Sequence, residues 1–119
     1  GFGSMRRDAH GNQTEGIKRY SHLRPTIPRL GFFVDHEKRI PYDFHEILGS
    51  IAPRPVFILA PKLDQDWLHE DVVVCYEEAA KVYNLYNQKE HLVLRNPNDF
   101  NRYPPKYQEM VNDWLENIK

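Results

Sequence analysis

Cysteine occurs once in these 119 residues, at Cys75, so no internal disulfide can form. Charge of a single sign is also scarce. Sixteen basic and 17 acidic side chains leave a net charge of −1 with His neutral, which removes the electrostatic case for nucleic acid or an anionic membrane as partner. No apolar run approaches the roughly 20 residues that cross a bilayer as a helix. The serines Ser4, Ser21 and Ser50 all lie outside any Gly-x-Ser-x-Gly, the sharp turn that exposes an acyl-transfer nucleophile on an α/β sheet. There is no glycine-rich phosphate loop and no paired Cys or His spacing, so neither nucleotide nor zinc is expected, and no cofactor. His36 and His45 stand near Asp35, Glu37, Asp43 and Glu46, a grouping that reads as surface charge rather than a metal site.

What the sequence does have is one well-punctuated buried strand. Val56-Phe57-Ile58-Leu59-Ala60 is continuously apolar, the pattern of a parallel strand covered on both faces. Pro53 and Pro55 precede it and Pro61 stops it. Asp64 and Asp66 follow just past its carboxyl end, the edge at which open α/β sheets build sites.

The remaining elements fall around this strand. Residues 1–28 show no sustained period and form an irregular lead-in or lid segment. Residues 29–34 are a short apolar patch, either a helical turn or an extended piece. Asp43 to Glu46 fits the Asp-x-x-Glu capping pattern and predicts a short helix from about Phe44, ended by Gly49. A longer helix starts near Glu70 or Asp71. Val72, Tyr76, Ala79, Tyr83 and Tyr86 share its apolar face, and Asn87 and Gln88 end it. His91 to Arg95 predicts a second strand. After a polar loop from Asn96, a last helix runs from Pro105 to about Ile118, with Tyr107, Met110, Val111, Trp114, Leu115 and Ile118 on one face. Strand, helix, strand at this spacing predicts a parallel, right-handed unit. Two strands make a poor sheet on their own, so further strands are expected from a longer parent chain or another subunit.

Residue types leave the chemistry open at several positions. Asp64 suits either the acid that orients a catalytic histidine or a turn residue bonded to its own backbone. His69 suits a helix start or a proton carrier. Phe100, Tyr103 and Trp67 suit a pocket lining or ordinary packing. Cys75 falls inside a helical pattern and reads as an inert thiol.

The run from Ile51 to Asp66, followed by the helix containing Glu78-Ala79-Ala80-Lys81-Val82-Tyr83-Asn84-Leu85-Tyr86, resembles the C-terminal part of α/β-hydrolase-fold enzymes. The group it is most similar to comprises dienelactone hydrolases, acetyl xylan esterases and prolyl oligopeptidase-like proteins, and the likeness covers about residues 28–119. The resemblance implies an α/β class: a C-terminal strand-helix-strand-helix portion of a parallel hydrolase sheet over residues 29–119. It implies a serine esterase or peptidase acting on a small ester, carbohydrate ester or peptide, with its nucleophile upstream of Gly1. Asp64 matches the triad acid. The loop where the triad His is expected reads Asp99-Phe100-Asn101-Arg102-Tyr103, with Asn101 at the base position. Asn cannot take and return a proton at neutral pH. Two readings follow: a fragment of an active hydrolase, inactive in isolation, or a hydrolase-fold protein without its base that binds a ligand or is structural.

Overall fold

The computed structural model of the chain describes residues 3–6, 29–65 and 67–118. Asp66 and most of the lead-in, including His10 and His22, lie outside the described residues. The apolar patch after the lead-in forms a 3-10 turn, Leu30–Phe33. Helix α1, Phe44–Ile51, opens on the predicted capping box. The Asp43 carboxylate accepts from the Phe44 N–H, and the Glu46 carboxylate accepts from the Asp43 N–H.

Gly49 does not end α1, which runs two residues further. The expected left-handed cap is replaced by a packing role. Helix α2, His69–Leu85, passes close to Gly49, and a Cβ there would lie 3.2 Å from Cγ2 of Val82. Glycine here leaves room for the Val82 side chain of α2 rather than turning the chain. Along α2, Val72, Ala79 and Tyr83 are buried and Tyr76 is half-buried, as the spacing predicts, and Cys75 is buried beside them. Tyr86 departs from that face. The helix stops at Leu85 and Asn87 takes a positive φ of 54°, so Tyr86 leaves the stripe and is 55 % exposed.

Strand β1, Val56–Leu59, pairs in parallel with β2, Leu92–Arg95, in the register Val56↔Leu92 to Leu59↔Arg95. These make a small two-stranded parallel sheet among the described residues. Side chains alternate across it. Ile58 and Leu92 join Leu48, Cys75, Ala79 and Tyr83 in the core on the α1 and α2 side. Phe57 faces the other way and meets Trp114 of α3, Pro105–Asn117, at 5.2 Å between ring centroids. Tyr107 of α3 is buried, and Met110, Val111 and Trp114 are half-buried. Leu115 is 54 % exposed, because the apolar stripe of α3 is wider than the two strands beneath it can cover.

Burial pushes the Cys75 thiol up to about 12, with the nearby Asp43 carboxylate adding to it. A thiol so held is neutral at physiological pH, which fits the inert role.

Candidate active site

The carboxyl ends of β1 and β2 continue into two loops that run side by side. The Ala60 N–H donates to the Arg95 carbonyl at 2.9 Å, Lys62 to Pro97 at 2.9 Å, and Leu63 to Asp99 at 3.0 Å. Backbone pairing between the two chains is thus carried four residues past the strand ends, to Leu63 and Asp99. Asp64 follows at once, in a turn closed by its own N–H on the Pro61 carbonyl at 3.2 Å. Asn101 stands two residues beyond Asp99 on the facing loop. The backbone therefore brings the two loops singled out from sequence to one rim of the sheet.

The aromatic trio does not gather there. Trp67 is 8 % exposed and turns inward, edge-on to Phe44 with ring centroids 5.6 Å apart. Phe100 and Tyr103 are 56 % and 54 % exposed. Among the described residues, the Nδ1 atom of His69 is buried without a hydrogen-bond partner, as is Oδ1 of Asn96. No three His, Cys, Asp or Glu side chains among the described residues gather as a metal site. No described helix is long and apolar enough to cross a membrane.

The most heavily bonded group at the rim is Asp99, whose part sequence reading missed. Its carboxylate is buried and accepts from Arg102 Nε at 2.8 Å, Lys106 Nζ at 3.0 Å, Tyr107 Oη at 2.8 Å and the Phe100 N–H at 2.9 Å. Lys106 also lies over the Tyr107 ring, 4.6 Å from its centroid. The available signal was an acid shortly before a helix start, with basic residues three and seven positions on. The bond from Arg102, then those from Lys106 and Tyr107, hold the Asp99 carboxyl well below the usual carboxylate range. In return Asp99 raises the pKa values of Arg102 and Lys106.

A pH dependence follows. Unfolded, Asp99 titrates near about 3.9; folded, it titrates lower. Its contribution is complete above the unfolded value and is lost as the pH falls from about 4 toward the folded one. Asp99→Asn should therefore lower stability at neutral pH and flatten the acid limb below about pH 4. Thermal unfolding followed by circular dichroism between pH 2 and 7 checks this. Added salt should shrink the difference, because Arg102 and Lys106 are 62 % and 60 % exposed.

A parallel strand pair with helices on both faces, carrying paired loops at its carboxyl rim, is the arrangement on which α/β enzymes set their chemistry. The family profile for glucuronyl esterase of fungi matches residues 4–87, well over half of the chain, and the chain belongs to that family of serine esterases of the α/β-hydrolase type. The match supports the esterase part of the sequence-based resemblance. It does not single out dienelactone hydrolases, acetyl xylan esterases or prolyl oligopeptidases. It includes the Asp64 turn and ends before β2, so the loop with Asn101 lies beyond it. A comparison with curated proteins found no match.

Proposed function

We propose that this chain is the C-terminal, acid-bearing part of a serine esterase that cleaves an ester of a sugar acid. The family match across the Asp64 turn carries this reading. In it the nucleophilic serine lies outside the present sequence, Asp64 is the triad acid, and the loop of residues 96–103 stands where the base is expected. The rest of the hydrolase sheet, from the parent chain or another subunit, pairs with β1 and β2. Family membership favours a carbohydrate ester over a peptide as substrate.

The identity of Asn101 favours a second reading: a protein that keeps the fold and binds the sugar acid without hydrolysing it. Its side chain is a neutral amide, unable to serve as a base. The test uses the intact polypeptide that includes the nucleophile, offered benzyl glucuronate beside p-nitrophenyl acetate. Hydrolysis of the glucuronate ester that disappears in Asp64→Ala supports the first reading. Retention of a glucuronate-bearing oligosaccharide without hydrolysis supports the second. An unchanged hydrolysis rate in Asp64→Ala removes Asp64 from the triad.

A further inference from the structure

The turn that carries Asp64 has two anchors. The first is the run of backbone bonds from Ala60, Lys62 and Leu63 to the facing loop. The second lies at Trp67, three residues beyond Asp64, and it depends on a distant piece of chain. Gly3 lies flat against the Trp67 ring: a Cβ built on Gly3 would fall 2.4 Å from Cε3, closer than any side chain tolerates. A second contact is Phe44, edge-on at 82°. Trp67 is therefore held by contacts with both the Gly3 backbone and the first residue of α1.

The segment over Trp67 is itself tied down. Ser4 Oγ donates to Asp43 Oδ2 at 2.6 Å, and the Met5 N–H donates to Asp43 Oδ1 at 2.8 Å. Met5 is 2 % exposed and packs with Leu30 and Ile40. Arg6 donates to the Ile40 carbonyl at 3.0 Å and to the Glu46 carboxylate at 3.1 Å. Asp43, 5 % exposed, thus serves α1 as its N-cap and holds the strap that closes over Trp67. A buried carboxylate that accepts several hydrogen bonds, here from both near and distant donors, is a rigid joint.

We propose that residues 3–6, fastened on Asp43, form a strap that sets the position of the Asp64 turn through Trp67. Gly3, Asp43 and Trp67 are positioning residues for the rim rather than groups that touch the reacting atoms. The catalytic relevance of the strap rests on the reading of this rim as the esterase site. The mechanical claim does not, and its test reads no activity.

The test is site-resolved amide hydrogen exchange by NMR on the intact polypeptide, comparing the native form with Gly3→Ala and Ser4→Ala. The amides of Lys62 and Leu63 report the turn, and those of Ala79 and Tyr83 report the core. In Gly3→Ala the strap is pushed off Trp67. Exchange at Lys62 and Leu63 should then rise about tenfold or more while Ala79 and Tyr83 hold their rates, the mark of local rather than global opening. The Trp67 indole resonance should move in the same variant. Ser4→Ala removes one tie to Asp43 and should give the same pattern at smaller amplitude, and it carries the test alone if Gly3→Ala does not fold. Turn and core amides rising together would reduce the strap to a general stabiliser and overturn the proposal, as would no change in either set. Such a failure leaves the Asp64→Ala assay unaffected, so the strap and the triad assignment can fall separately.

Discussion

Replacing Asn101 with His in the intact polypeptide is expected to raise ester hydrolysis by about 10²- to 10⁴-fold, the usual contribution of a positioned general base. The rise requires a base within reach of the serine and an acid within reach of the base. For the second condition, the two loops run side by side at one rim. The two loops are held in register by the bonds from Lys62 to Pro97 and from Leu63 to Asp99, so Asp64 and residue 101 each follow a fixed crossing point. The result is read as kcat on benzyl glucuronate across pH 5 to 9. A restored base should add an ascending limb near the ordinary histidine value, about 6.5, and Asp64→Ala in the Asn101→His background should remove most of the gain. A gain that survives Asp64→Ala would show that another carboxylate orients the new imidazole. A gain of that size would support the reading in which the native protein lacks its base, whereas no gain over native hydrolysis would show that another residue already serves as the base.

Tyr83→Ala is expected to cost about 3–5 kcal/mol, the usual range for deleting a buried aromatic side chain. Tyr83 is fully buried where α2 meets the chain entering β1. Its hydroxyl donates to the Arg54 carbonyl at 2.9 Å, and burial pushes its pKa up. The loss is comparable with the whole stability of a small domain, roughly 5–15 kcal/mol, so the variant should be largely unfolded or nearly so. Tyr83→Phe separates the two parts of the role. It keeps the ring and removes one bond to a carbonyl, a cost of about 0.5–1.5 kcal/mol. Urea unfolding of all three forms gives both numbers. Equal losses in Phe and Ala would place the whole effect on the hydroxyl.

The elements that sequence reading found are those whose signal is local. The Asp43 to Glu46 box, the proline-bounded run at Val56 and the Tyr107 to Trp114 spacing each state their structure within about a dozen residues. Parallel pairing of β1 and β2 followed from the length of the connection between them. Misreadings arose where a distant contact decides. Gly49 looks like a cap from its neighbours, and only the passage of Val82 shows that a side chain there would be tightly packed. Trp67 stays open between pocket lining and packing in the sequence, and its contacts with Gly3 and Phe44 settle it as packing. Asp99 was visible as an acid in a polar loop, but its four donors come from Phe100, Arg102, Lys106 and Tyr107 only once the loop folds onto the start of α3. The double duty of Asp43 needed Ser4 and Met5, nearly forty residues away.

Lys62 and Leu63 point their amide hydrogens at the carbonyls of Pro97 and Asp99. Backbone N–H groups are what many esterases aim at the negative oxygen of a tetrahedral intermediate. These two are already engaged and cannot serve that oxygen. An intermediate forming above this rim would have to draw its stabilising amides from elsewhere in the polypeptide, so charge neutralisation would not fall to the pair of amides that fasten the Asp64 turn.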